Sequence, residues 1–165
     1  MNPPTKIDDG LSLRQALAQF RLLNRDYLSH TAADLSPAAR SFFRSHDVAH
    51  VLFGCDISLF GEGSVKIWTI FGTTLGFWQH LVDYREANAY SLAQKFPVQD
   101  TVRQLFRLLI SLPTLIVRAY RMRRRWPWSD FEDYLDVPIY QIRQEFNINV
   151  IPPPSGSPPQ PQSSV

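Results

Sequence analysis

The chain has 165 residues, 44% of them hydrophobic and 19% charged, with a formal net charge of +2 at pH 7. That length and composition support one domain with a sizeable core and no covalent staples. The small positive charge gives no ground for nucleic-acid binding, and a single cysteine, Cys55, excludes an internal disulfide and fits a reducing compartment.

Residues 1–10, MNPPTKIDDG, read as a flexible N-terminus. They carry acidic side chains and no apolar centre, unlike a secretory signal or a transit peptide. No apolar run reaches the ~20 residues that span a bilayer. A cytoplasmic location is therefore expected. Leu11 to Arg25 follows as a helix, with Leu13, Ala16, Leu17, Phe20 and Leu23 at helical spacing. Ser36-Pro37 starts the next: a capping side chain, then proline at the first helical position. This helix runs to about Phe53 and ends at Gly54, where positive φ is easily supplied.

The block His46 to Glu62, HDVAHVLFGCDISLFGE, holds four groups able to bind a metal: His46, Asp47, His50 and Glu62. On a helix His46 and His50 lie one turn apart, with Asp47 on the same arc beside Phe43 and Phe53. This spacing lets two imidazoles on one helix grip one ion. A loop from Gly54 to Gly61 is expected to return Glu62 to that face. A mixed nitrogen and oxygen shell suits a divalent ion, zinc first, with iron, manganese or magnesium as alternatives. Asp47 reads as a ligand and less as the general base that the acid of H-E-x-x-H metalloproteases provides. Cys55 beside the motif reads as a small buried residue.

The pattern H-D-x-x-H, eleven residues, then Glu resembles the signature of the ubiquinone (coenzyme Q) biosynthesis protein 4 family. It is matched at His46, Asp47, His50 and Glu62. SHDVAHVLFG, GEGSVKIW and the later WPWSDFEDYLDVPIYQIRQEFNI are similar to that family too, so the resemblance spans roughly residues 34–148. It implies those four residues as metal ligands. It also implies a prenylated quinone-precursor lipid as substrate and oxidative decarboxylation at ring carbon 1. Its alternative is a non-catalytic, lipid-binding scaffold that organises other quinone-biosynthesis enzymes. Lys66, one turn after Glu62, is a positional candidate for neutralising a substrate carboxylate. The location that follows is peripheral, on the inner face of a bacterial cell membrane.

Ser64 reads as the cap of a long helix from about Val65 to Gln94, with Gly72 and Gly76 marking a close crossing or a weak point. Trp68, Phe71 and Leu75 lie on its apolar side, as plain core or as the wall of a slot for the lipid tail. His80, Asp83 and Glu86 share a surface and read as a solvated polar face. Thr101 to Arg125 reads as one amphipathic basic helix, kinked at Pro113. Its apolar side is taken as Leu105, Leu108, Leu109, Leu112, Leu115, Ile116 and Ala119. Its arginines, Arg118, Arg121 and Arg125 above all, are candidates for contact with an anionic membrane surface. Trp126-Pro127-Trp128 ends that helix as interfacial anchors or as a packing corner. A short turn and a last helix, Pro138 to Phe146, follow, with Ile139, Ile142 and Phe146 inward. Residues 151–165, rich in proline, serine and glutamine, read as a disordered tail. The expected fold is an all-α, single-domain helical bundle over 11–150, with no strand. A homodimer through the amphipathic helices is left open.

Overall fold

The computed structural model describes residues 7–25, 36–75 and 98–151. Among these the chain forms five α-helices and no strand: α1 (Leu13–Leu23), α2 (Pro37–Phe53), α3 (Leu59–Gly72), α4 (Val98–Tyr120) and α5 (Ile139–Phe146). A 3-10 turn, Glu132–Tyr134, precedes α5. The all-α architecture is the expected one. The long helix expected from Val65 to Gln94 ends instead at Gly72, where Thr73 turns extended and the chain pairs with the Trp126 corner. Residues 76–94, with the polar group His80, Asp83 and Glu86, and the tail from 152 lie outside the described residues.

The helices start where side chains take up orphan N–H groups. Ser12 and Gln15 form a reciprocal capping box on α1, Ser36 accepts from the Ala39 N–H on α2, and Ser58 accepts from the Gly61 N–H on α3. The Ser58 cap corrects the expected start of α3. Ser64 is not a cap; its hydroxyl donates to the Phe60 carbonyl one turn back. Gly54 ends α2 in the left-handed conformation, φ 66°, and Cys55 N–H returns to the His50 carbonyl at 2.9 Å.

Helix α1 packs on α2, and α3 packs on α2 and, most extensively, on α4. The core runs through Phe20, Val48, Phe53, Trp68, Leu115 and Trp126 to Ile139, Ile142 and Phe146. Trp68 is buried and stacks on Phe53, ring centroids 4.7 Å apart. Trp126 and Trp128 are also buried, which makes the Trp-Pro-Trp segment a packing corner. Its backbone is tied to the end of α3, Trp126 N–H to the Gly72 carbonyl at 2.8 Å and Thr74 N–H to the Trp126 carbonyl at 2.9 Å. Of the two roles expected at Gly72, a close crossing or a weak point, the first has support in a close approach, since a Cβ there would lie 3.1 Å from Met122 Sδ.

The expected inward face of α4 is only half right. Gln104, Leu115 and Ala119 are buried and Leu108 and Leu112 half-buried, whereas Leu105 and Leu109 are exposed. The apolar arc of this helix is wider than the surface that α3 covers.

Candidate metal centre

Two consecutive helices build the centre. α2 carries His46 and His50 one turn apart and delivers both imidazoles to one side, ring centroids 4.7 Å apart. The chain then turns at Gly54, and Asp56 and Ser58 start α3. Asp56 Oδ1 accepts from the Ser58 N–H at 3.1 Å, an Asx turn that sets the cap. Gly61 is needed for this turn: a Cβ there would stand 2.0 Å from the Asp56 carbonyl oxygen. The next residue is Glu62, which therefore enters the interior in the first turn of α3. The Phe60 N–H is taken by Gln104 Oε1 of α4 at 3.1 Å, which ties this turn to α4.

The result is a trio. His46, His50 and Glu62 place ligand atoms within 4.8 Å of one another. His50 Nε2 lies 3.3 Å from Glu62 Oε1, and His46 Nε2 lies 3.7 Å from Glu62 Oε2. His50 is 2% exposed and Glu62 6%. His50 Nδ1 faces the Cys55 carbonyl at 3.1 Å. A carbonyl only accepts, so Nδ1 carries a proton and Nε2 is the atom left to coordinate or to titrate. That Nε2 is buried and, despite its nearness to Glu62, closes no hydrogen bond. A buried polar atom left in this state is costly. Phe20 of α1 stacks on the His50 ring at 5.4 Å and fixes its plane.

The charges follow from this packing. Burial alone would raise the Glu62 carboxyl, but the imidazoles of His50 and His46, with Lys66 nearby, outweigh it and hold Glu62 down at about 2. Burial alone would lower His50, and the facing Glu62 charge overcomes it, so His50 is raised. The half-buried Lys66 therefore acts on the centre through its charge on Glu62.

Asp47, expected as a fourth ligand, is not in the trio. Its Oδ2 accepts from Arg21 Nε at 2.8 Å, a partner on α1 that sequence spacing does not show. Burial raises the Asp47 carboxyl in spite of that bond. Cys55 is also outside the trio, and burial pushes its thiol far above the ordinary range. Of the residues expected to line a lipid slot, Trp68 is core and Phe71 and Leu75 are half-buried, Phe71 lying against Tyr120 with centroids 5.8 Å apart. The cleft beside the centre, lined by Phe53, Gly61, Trp68 and Leu115, measures only about 20 Å³. Of the arginines expected at a membrane, Arg118 donates to the Asn149 and Val150 carbonyls at 3.0 and 2.6 Å, while Arg121 and Arg125 are exposed.

Sequence reasoning missed Arg143. Its Nε and Nη2 donate to the Leu52 and Val51 carbonyls at 2.8 and 3.0 Å, and its Nη1 to Asp9 at 2.7 Å. It closes the open carbonyl end of the ligand-bearing helix from a helix 91 residues away in sequence. A basic residue on a short C-terminal helix gives no local signal of such a role.

The trio fits a divalent ion. Ligand atoms each about 2.1 Å from one ion lie roughly 3–3.5 Å apart. The two imidazole–carboxylate separations, 3.3 and 3.7 Å, are near that range, and the set, spread over up to 4.8 Å, would draw in around an ion. Two imidazole nitrogens and a carboxylate suit zinc, iron or manganese. No protein-family model, no curated protein and no solved structure matches this chain.

Proposed function

We propose that this chain is a metal-dependent enzyme of ubiquinone biosynthesis, zinc being the first candidate metal, acting in the oxidative decarboxylation of a prenylated aromatic acid. The observation that carries the metal is the buried, unsatisfied Nε2 of His50 facing Glu62. The substrate class is supported by the spacing of His46, Asp47, His50 and Glu62 and by the family that this spacing resembles.

His46, His50 and Glu62 would hold a divalent ion, whose positive charge would stabilise the negative charge that develops as carbon dioxide leaves the ring, with dioxygen as the co-substrate that oxidises the ring carbon. The Cys55 carbonyl keeps the proton of His50 on Nδ1 and so keeps Nε2 turned to the centre. His46 is the most open of the three, its side chain 13% exposed against 2% for His50, so a substrate headgroup approaches on its side. Lys66 neutralises the incoming ring carboxylate. Arg21 holds Asp47 beside the two imidazoles without committing it to the ion.

One observation favours the second reading, a lipid-binding scaffold that organises other quinone enzymes. Among the described residues the wall expected of a tail slot is packed, with Trp68 stacked on Phe53 and the cleft beside them only about 20 Å³, too small for an isoprenoid tail. In this reading the metal grips a headgroup and the tail lies along the outside.

Elemental analysis of protein purified without chelator, beside His50→Ala and Glu62→Ala, tests the centre. The expected result is about one ion per chain, lost in both variants while helicity by circular dichroism persists. Native protein that holds no metal and takes up none on titration overturns the proposal. With metal in hand, substrate turnover lost in Glu62→Ala separates enzyme from scaffold.

A further inference from the structure

The outer side of α4 carries a continuous apolar stripe. Val102, Leu105, Phe106, Leu109, Ile110 and Val117 are between 47% and 63% exposed, and Tyr120 closes the row at 67%. At 100° per residue these positions fall within an arc of about 140°. They account for seven of the ten most exposed large hydrophobic side chains among the described residues. Scattered exposed hydrophobics are ordinary; a row along one side of a 23-residue helix is not. Pro113 lies in the same arc and is exposed.

The charge beside the stripe narrows what can cover it. Arg103 and Arg107 lie along one edge, and Arg121, still hydrogen-bonded to the Val117 carbonyl just past the helix end, falls on the same side. Residues 101–129 contain seven arginines and no acidic residue. Three of the seven are used internally: Arg118 and Arg123 on backbone carbonyls, Arg124 on Glu145. The other four form no ion pair with the described residues. A second copy packed on this stripe would bring only one carboxylate from its own α4, Asp100 in the first turn, against the arginines that run along the rest of it. In an antiparallel contact the two arginine rows would share one edge, which is unfavourable. An anionic lipid surface answers both features at once, with acyl chains for the stripe and headgroup phosphates for the arginines.

We propose that α4 lies in the plane of an anionic bilayer surface and inserts the Val102–Tyr120 stripe below the headgroups. No described helix is long and apolar enough to cross a membrane, so the contact is interfacial. The opposite side of α4 meanwhile packs on α3, which bears Glu62, through Leu108 against Gly63. The inference does not depend on what the metal centre does.

Vesicles of phosphatidylcholine with and without phosphatidylglycerol test it by sedimentation. The full chain is expected to bind the anionic vesicles at low salt and to keep a large part of that binding in 0.5 M NaCl, because the stripe, unlike the arginines, is not screened. Phe106→Glu combined with Ile110→Glu is expected to abolish binding and leave melting temperature and metal content unchanged. Phe106→Trp is expected to show added fluorescence quenching by brominated acyl chains, a readout that needs no disruptive variant. Vesicle binding that the double variant does not weaken, or no quenching at position 106, overturns the proposal. So does a concentration-dependent dimer in light scattering that the double variant dissolves, which would make a second copy the occupant. A fall of several degrees in the melting temperature of the double variant would overturn it too, by showing that the chain covers its own stripe.

Discussion

Around His50 the interior holds polar atoms where apolar ones are usual, and along the outer side of α4 the surface holds apolar side chains where polar ones are usual. His50, Glu62 and Asp47 are each under 10% exposed. On α4, Phe106 and Ile110 are each 63% exposed. Neither arrangement is what folding alone favours: buried polar groups cost desolvation, and exposed apolar groups forgo burial. The two regions differ in how the surrounding structure treats them. The centre is buttressed by a stacked Phe20, the Cys55 carbonyl, Arg21 and Arg143, which together fix its geometry. The stripe is held only by the helix that carries it and by the packing of the opposite side. A site that chemistry must find in one arrangement is rigidly supported, whereas a surface that meets a fluid partner needs only to be presented.

The largest effect that sharpens this contrast is expected at Arg143. Its guanidinium satisfies two carbonyls at the end of α2 and pairs with Asp9 while its side chain is 12% exposed. Arg143→Ala removes the guanidinium from the Leu52 carbonyl, leaves the Val51 carbonyl only a long bond from the Gly54 N–H, and removes packing, and should cost about 2–3 kcal/mol. For a domain of this size that is a fall in melting temperature of roughly 4–12 °C. Metal affinity should weaken with it, because the turn at Gly54 that begins the path to Glu62 loses its brace. A melting temperature within a degree of the native value would show that the brace is dispensable.

Much of this was legible in the sequence. Periodicity found the helices but not all their ends, α3 stopping at Gly72 and α4 at Tyr120. Ser36-Pro37 and Gly54 bounded α2, and the spacing of His46, His50 and Glu62 marked the trio. The errors have a common physical source. Gly61 and Gly63 read as loop, yet both lie inside α3. One is glycine because the Asp56 carbonyl stands where its Cβ would be, the other because Leu108 does. The true start was signalled by Asp56 and Ser58 with an acid in the first turn, a pattern that outweighs two glycines. Asp47 was grouped with the ligands because it shares their helix arc and the family's signature, and its bond to Arg21, outside the trio, is a tertiary contact that spacing does not show. The width of the apolar arc on α4 was visible, but how much of it a neighbour covers is a property of packing alone.

Proton competition at the centre gives a second, smaller effect, and its sign distinguishes the metal-free from the metal-bound protein. His50 is raised by Glu62. Without metal, the stability it contributes is fully present below its unfolded value of ~6.5 and is lost as pH rises through its folded value. The metal needs the His50 Nε2 lone pair, so below that folded value each unit of falling pH weakens binding about tenfold, or ~1.4 kcal/mol. Melting curves from pH 6 to 9 should therefore show metal-free protein losing stability with rising pH while stabilisation by added zinc grows. Parallel curves would mean that His50 takes no part in holding the ion.

The smallest expected effect lies on the stripe, and its smallness is the point. Leu109 and Leu115 are both leucines on α4, six residues apart, 59% and 1% exposed. Leu115→Ala empties a packed site and should cost about 2–5 kcal/mol. Leu109→Gln removes apolar surface that folding never buried, and glutamine is about as good a helix former as leucine, so stability should change by no more than about 0.5 kcal/mol. Denaturant midpoints of the two variants measure the difference directly. A large loss at Leu109 would place that side chain in the folded interior and close the stripe to any external partner. A negligible loss there, beside a large one at Leu115, would leave the exposed leucine with no role in the stability of the monomer, so that its apolar character serves contact with something outside it.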